Sequence, residues 1–499
     1  MTVLFVVDEP TEWPLELTDV SVIAARQYLT DPDIAPSRGT KVFNLCQSYR
    51  YQSTGWYVSL LAAARGHRPF PGVGNIVDMR SPALVRVVSE DLDALIQRML
   101  KPLLSDRFTL SVYFGRNVAK RYDPLARQVY NLFQAPLLRA KFERRKGSWT
   151  MTNVSPIASR DVPDNHRDFV LGAAREYFAK GRFSAPKRDR DRYRYDMAIL
   201  FDEDDNDPPS AERAVKKFRK AAAELGIRTE IIDKDDYGRL SEFDALFIRR
   251  TTAVNHYTYR FARRAEAQGL AVMDDPASIV ICSNKVYLAE MFQRHDVPHP
   301  KTLVVHRDNI DEVEATIGLP CVLKQPDSAF SLGVKKVETA EQLRESLEVL
   351  LAGSDLVVAQ EFYPTEYDWR VGIIDRQPLY VSKYHMAPKH WQIMHHKGGG
   401  DTDYGKVTTI PLEEAPAHVV KTALKAANLV GDGLYGVDLK TSGKSCIVIE
   451  VNDNPSLESG YEDKVLGDEL YLRIMQSFLR RIEERRGVAA GRDDEGRRA

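Results

Sequence analysis

Cysteine is scarce in this 499-residue chain. Cys46, Cys282, Cys321 and Cys446 stand far apart, without the paired spacing of a zinc site or a disulfide framework. A reducing, cytoplasmic setting is the expectation. An excess of charge of either sign is also missing, because 70 basic residues balance 71 acidic ones. That balance gives no case for nucleic acid or an anionic membrane as a partner. No apolar run approaches the roughly 20 residues that span a bilayer. The opening MTVLFVVDEP is a short apolar run stopped by acids and proline, which reads as a strand and not as a secretory leader.

What is present belongs to a mixed α/β protein long enough for roughly two to four domains. Residues 1–185 read as an N-terminal α/β domain, with strands at 3–7, 41–46 and 108–114 and helical spacing at 58–65 and 164–180. Its tyrosine-rich SYRYQSTGWY at 48–57 reads either as a pocket wall or as an amphipathic surface loop. A charged linker follows at 186–195. Residues 196–282 alternate strand and helix, as a small Rossmann-like domain does. The glycine fingerprint of a dinucleotide site is missing there, which disfavours NAD. Arg249, Arg250 and Thr251 come just past a strand's carboxyl end, where open α/β sheets bind ligands. The acidic residues 202–207 read as a solvated loop or a metal site. Residues 283–485 hold two β-rich lobes separated by an amphipathic helix at 340–351. A helix capped by Ser283 or Asn284 precedes them, and a final helix at 468–484 follows. The tail 486–499 has nothing to bury and is expected to be disordered.

The residues that suggest chemistry cluster late in the chain. LYGVDLK and CIVIEVN flank a turn at 441–444 and form a hairpin. Asp438 falls nearly opposite Glu450, and Asn452 shares the face of Glu450. Two carboxylates and an amide oxygen at one place suit Mg²⁺ or Mn²⁺; a ribbon with one solvent-facing side would use the same residues. Lys324 ends a buried-looking strand before a serine- and glycine-rich loop, where it can reach phosphate oxygens or water. Gln360 and Glu361 end another strand, where extended backbone can pair with a purine edge. Asp368 and Arg370 lie two apart on one strand face, either for ribose and a terminal phosphate or as an exposed ion pair. The HHKGGGDTDYGK stretch offers backbone N–H groups to an anion. His390, His395 and His396 match no metal spacing well.

Taken in order, Asn284-Lys285, Lys324, Gln360-Glu361, Asp368-Trp369-Arg370, HKGG and Asp438…Glu450-Val451-Asn452 resemble the ATP-grasp superfamily, most closely its RimK-like amino-acid ligases. The resemblance covers residues 197 to the end of the final helix. It implies an ATP-grasp fold preceded by a Rossmann-like pre-ATP-grasp domain, with the first 185 residues as an accessory domain. ATP would be held by Lys285, Lys324, Gln360, Glu361, Phe362, Tyr363, Asp368, Lys383 and Lys397. Asp438, Glu450 and Asn452 would ligate the metal, and Arg370 with Lys324 would be catalytic. The implied reaction joins a carboxylate to an amine through an acyl phosphate, with an amino acid such as glutamate as one substrate. The other substrate would be a small amine or a peptide or protein tail. A phosphotransferase and a non-catalytic ATP-responsive binder are the alternatives, and a homo-oligomer stays open. Gln392 stands where an arginine is usual, and the Lys383 segment replaces an arginine-rich one. Both departures fall near the acceptor side.

Overall fold

The computed structural model describes residues 3–486 apart from 11–19, 32–33, 35–39, 83–84, 87–88, 90–91, 179–192, 203–207, 328–332, 389 and 397–401. Most of the expected linker, the acidic 203–207 stretch, the loop 328–332, Lys397 and the tail past Arg486 lie outside the described residues. The chain packs as two compact units, Met1–Arg192 with Tyr237–Arg239, and Tyr193–Asp236 with Leu240–Ala499. Among the described residues no helix is long and apolar enough to cross a membrane.

In the first unit, β1 (Val3–Val7) is buried along its whole length, as a central parallel strand must be. It lies between β2 (Val20–Ala24) and β3 (Lys41–Asn44), with β4 (Arg68–Phe70) outside β3, all parallel. The helix Thr54–Ala64 begins before the expected residue 58 because the Ser53 side chain caps it, accepting from Trp56 N. A second, antiparallel sheet joins β5 (Arg107–Tyr113), β6 (Leu137–Arg145) and β7 (Ser148–Pro156). Lys146 and Gly147 make the β6–β7 turn with φ of 51° and 83°. Positive φ at both central residues of a two-residue loop suits the right-handed strand twist.

The second unit begins with the expected Rossmann-like layer. Strands β8 (Tyr195–Leu200), β9 (Ile227–Ile232), β10 (Ala245–Ile248) and β11 (Ala271–Met273) form a parallel sheet in the order β11-β10-β8-β9. Helix Glu212–Glu224 covers it with Ala214, Val215, Phe218, Ala221 and Ala222. The last helix, Asp468–Arg485, returns to the same layer: the Tyr471 ring meets Phe218 at 4.7 Å and Phe478 meets Phe247 at 5.2 Å. Residues 283–485 therefore do not close as a separate body, because their final apolar face needs the Rossmann-like layer to cover it.

Two further sheets complete the unit. The first joins β12 (Thr302–Val305), β13 (Cys321–Lys324), β14 (Val334–Val337) and β15 (Val357–Glu361) in the antiparallel order β12-β15-β13-β14. The helix expected to separate two lobes, Ala340–Gly353, instead links β14 to β15 within this one sheet. Its Leu343, Leu347, Leu350 and Leu351 fall on one helical face and bury against that sheet. The second sheet takes β16 (Tyr367–Ile374), β17 (Gln377–His385), β20 (Val407–Ile410), β21 (Leu434–Ser442) and β22 (Ser445–Asn452) in the order β20-β17-β16-β21-β22. Strands β18 (Met394–His396) and β19 (Thr402–Tyr404) form a small ribbon of their own.

This five-stranded sheet has two unlike faces. Trp369, Val371, Val437, Leu439, Val448 and Val451 bury against Val419, Ala423, Ala426 and Ala427 of helix Ala417–Val430. Each buried branched side chain there contributes roughly 1.5–3 kcal/mol. The alternate residues, which include Asp368, Arg370, Asp438, Glu450 and Asn452, point to the other face. Apolar burial behind the sheet thus offsets the cost of gathering charge in front of it.

Candidate functional site

The site is assembled on the charged face of the β21–β22 hairpin. Gly443, at φ 59°, makes the first residue of a two-residue turn that pairs Ser442 with Ser445, and further along, after a one-residue shift, Asp438 lies opposite Glu450 and Gly436 opposite Asn452. A bulge between Asp438 and Leu439 adjusts the strand at that level. The hairpin and its acid pairing are as the sequence leads one to expect. Arg370 lies opposite Asp438 on the neighbouring strand and clamps it, with Nε–Oδ1 and Nη2–Oδ2 both at 2.7 Å. Burial alone would lower the Arg370 pKa, but the Asp438 carboxylate more than offsets this and holds it well above the usual arginine value. The guanidinium also stacks on the Tyr384 ring, 4.6 Å from its centroid, and the Tyr384 hydroxyl donates to buried Glu462. Tyr384 and Glu462 thus orient Arg370 from behind. Neither stands out in the sequence, because they come from distant segments.

Lysines approach from two directions. Lys285 opens helix Lys285–Arg294, which Asn284 caps by accepting from Val286 N and Tyr287 N. Its Nζ stands 3.8 Å from Glu450 Oε1. Lys324 ends β13; burial pushes its ammonium down to about 8, Glu450 and Asp368 oppose that, and Lys285 and Lys440 add to it. Lys440 is the residue that sequence reasoning missed. Its Nζ donates to Asp368 Oδ1 at 2.5 Å and to Thr365 Oγ1 at 2.8 Å. The signal was available, since Lys440 follows Asp438 by two and so shares its strand face. Asp368, the expected ribose acceptor, is already engaged by this lysine. Burial nevertheless raises its carboxyl pKa, against the pull of Lys440.

Other expected residues are less uniformly placed. Gln360 is buried and its side chain donates to Thr302 Oγ1 at 2.9 Å, while Glu361 Oε1 accepts from Lys301 N at 3.0 Å. Their side chains are thereby occupied. Phe362 carries Lys336 Nζ over its ring at 4.4 Å and meets Trp391 edge-on at 5.8 Å. Tyr363 follows directly in the connection to β16. Lys383 is separated from the group. It pairs in register with Trp369, so it lies on the reverse face of the sheet, 4.8 Å from both the Tyr367 and Trp369 rings. A bulge between Gly372 and Ile373 shifts the register by one residue and sets Lys383 opposite Trp369 instead of Asp368, so alternation alone does not reveal its face.

Arg249, expected near a ligand, is instead a fastening. Fully buried, it donates to Pro209 O at 2.6 Å, Asn454 Oδ1 at 2.6 Å and Pro455 O at 2.9 Å, tying the turn after β22 to the Rossmann-like layer. Arg250 pairs with Asp202, and the Thr252 hydroxyl donates to Asp453 Oδ2 at 2.8 Å.

A divalent cation would find hard oxygen donors here. Among the described residues no three His, Cys, Asp or Glu side chains converge as a metal site, so the donor set depends on the Asn452 amide beside two carboxylates. Asn452 Nδ2 now faces Asp438 Oδ2 at 3.2 Å, and a rotation of the amide would present its oxygen instead. The three residues fit Mg²⁺ in donor chemistry and share one face.

Gly436 lets the parts come this close. A Cβ at this position would meet Pro455 Cβ at 2.7 Å and Arg370 Cδ at 3.6 Å. Gly436→Ala is therefore expected to cost about 1–3 kcal/mol of stability and to lower turnover by pushing away the Pro455 turn that follows Asn452. Denaturant melts and steady-state kinetics on the same preparation check both effects.

Residues 282–477 match the family described as "RimK-like ATP-grasp domain", and residues 25–173 match "RimK-like ATPgrasp N-terminal domain". A protein of Shewanella denitrificans named "Probable alpha-L-glutamate ligase 2" is 25% identical over 248 residues, covering 49% of this chain and 79% of that one. A "Probable alpha-L-glutamate ligase" of Vibrio vulnificus is 26% identical over 223 residues, covering 44% of this chain and 71% of that one. Among solved structures, a RimK domain ATP-grasp protein from Sphaerobacter thermophilus aligns over 56% of this chain and 98% of its own, with 18% identity and a TM-score of 0.43. A D-alanine–D-alanine ligase from Bacillus anthracis aligns over 59% of this chain and 100% of its own, with 15% identity and a TM-score of 0.45.

Proposed function

Because the chain belongs to the RimK-like ATP-grasp family, whose two matched segments together span more than half of it, we propose that it is an ATP-dependent carboxylate–amine ligase forming an amide bond. The observation that carries this reading is the meeting of Asp438, Glu450, Asn452 and Arg370 on one sheet face with Lys285 and Lys324 brought to Glu450 from a neighbouring helix and sheet. Relatives named as alpha-L-glutamate ligases support an amino acid such as glutamate as one substrate.

When bound, Mg²⁺ supplies charge neutralisation at the nucleotide phosphates; Asp438, Glu450 and Asn452 are the residues that would hold it. Lys285 and Lys324 bind phosphate oxygens with ammonium groups whose own repulsion Glu450 moderates. Arg370, held rigid by Tyr384 and Asp438, presents its guanidinium where charge grows on the transferred phosphoryl group. A substrate carboxylate oxygen attacks the γ-phosphorus and ADP departs, leaving an acyl phosphate. An amine nitrogen then attacks the acyl carbon, phosphate leaves with the C–O bond electrons, and the amine proton passes to solvent. Positioning and electrostatics carry this chemistry without a covalent enzyme intermediate.

The test is incubation with Mg-ATP, a panel of amino acids and hydroxylamine. A hydroxamate formed in step with ADP is the expected result. A stable phosphorylated product would point to a phosphotransferase, and no turnover over a broad panel would point to a binding protein; either outcome overturns the ligase reading.

A further inference from the structure

We infer that the first unit carries a second ligand site, for a small carboxylate-bearing molecule with an aliphatic body, in the cavity beneath Arg50 and Arg80. The cavity measures about 410 Å³, within the range that holds an amino acid or short peptide. It lies between the loop that leaves β3, the end of helix Val73–Arg80 and the second half of β7, which supplies Thr152 to Pro156. The chain leaving β3 enters the cavity wall directly, through Ser48 and Arg50.

This wall is built in advance. Gln47 N donates to Asp8 Oδ2 at 2.6 Å, joining the loops that follow β3 and β1. The Ser53 hydroxyl donates to Ser48 O at 2.7 Å, and the buried Tyr49 hydroxyl donates to Asn44 O at 2.6 Å. Gly55 seals the loop from behind, since a Cβ there would stand 2.5 Å from Ser48 O. A loop held this firmly loses little entropy when a ligand binds.

The lining sets the chemistry. Among the described residues that line the cavity two are arginines and none is acidic. Arg50 and Arg80 are both exposed, and neither forms an ion pair among the described residues. A guanidinium fork matches a carboxylate in two parallel hydrogen bonds. Asn153 and Ser48 add neutral hydrogen-bonding groups, while Ile76 and Met79 give an apolar floor suited to methylene groups. That floor favours an organic carboxylate over inorganic phosphate. The tyrosine-rich stretch at 48–57 thus contributes a pocket wall through its first residues, the reading that sequence alone left open.

Calorimetric titration of the full-length chain with succinate, glutarate, L-glutamate and L-glutamyl-L-glutamate tests the site, with inorganic phosphate alone as the comparison. At least one carboxylate is expected to bind saturably. That binding should persist in Glu450→Gln, which alters only the hairpin, and should weaken about 10-fold or more in the double variant Arg50→Ala/Arg80→Ala. The double variant Arg50→Lys/Arg80→Lys, which keeps the charge and loses the fork, should fall between them and controls for misfolding. The inference is overturned if none of the four carboxylates binds, if both double variants bind as the parent does, or if phosphate alone binds as tightly as the best carboxylate. Because Glu450→Gln disables the nucleotide site but not this one, failure here and failure of the ligase reading are separable.

Discussion

Glu450→Gln is expected to abolish turnover while the fold survives. Glu450 projects from the charged face of β22, opposite Asp438, and its side chain is 28% exposed with Lys285 Nζ at 3.8 Å. Glutamine keeps the shape and hydrogen-bonding reach of the side chain, and the apolar face behind it, with Val448 and Val451, is untouched. What is lost is the negative charge that a divalent cation needs and that moderates the repulsion between Lys285 and Lys324. Turnover should fall by about 10²–10³-fold or more, while the denaturation midpoint drops modestly through the lost counter-charge and the fold is retained. ADP release and a thermal melt measure the two. Normal ADP release in the variant would remove Glu450 from the metal set.

Lys324→Met should separate activity from stability in the opposite sense. Burial holds the Lys324 ammonium at about 8, below the usual lysine range near 10.4. The sign follows from proton counting. Between these values the unfolded chain binds more protons than the folded one, so this lysine makes stability rise with pH across that window. Below about 8 it carries the full cost of burying its charge, on the order of 3 kcal/mol. Methionine fills a similar volume without the charge, so the variant should melt higher at neutral pH. It should also bind an ATP analogue about 10- to 100-fold more weakly, since a charge-assisted hydrogen bond is lost. In the parent protein, affinity for ATP should weaken as pH rises past about 8 and Lys324 loses its proton. A destabilised Lys324→Met with unaltered nucleotide affinity would contradict the assignment.

Much of this site was legible in the sequence because β-strand periodicity is strict. Pairing LYGVDLK with CIVIEVN across a tight turn brings Asp438 close to Glu450, and a bulge between Asp438 and Leu439 completes the opposition. The same rule placed Asp368 and Arg370 on one face. Applied further, it would have put Lys440 on the face of Asp438, whereas Lys383 lies on the reverse side only because a bulge between Gly372 and Ile373 shifts the register. The pairing of Asp368 with Lys440 was harder to foresee, since it crosses from β16 to β21 and depends on which strands become neighbours. Arg249 illustrates a different limit. A buried arginine looks like an exposed one in sequence until its acceptors are known, and four of these are supplied by Pro209, Ser210, Asn454 and Pro455. The β6–β7 hairpin is hidden in the sequence although Lys146-Gly147 is a usable turn signal, because basic residues dilute its apolar alternation. The helix Ala340–Gly353 shows in the sequence, but its place within one sheet does not. Amphipathicity shows that a helix has a buried face and does not show which sheet covers it.

The most direct test of the central claim is a crystal structure with Mg²⁺ and a non-hydrolysable ATP analogue. Oxygen atoms of Asp438, Glu450 and Asn452 should lie on the metal, the Asn452 amide having turned its oxygen inward, with Arg370 facing the terminal phosphate. A nucleotide bound elsewhere, or those three side chains directed into solvent with the metal absent, would contradict the account.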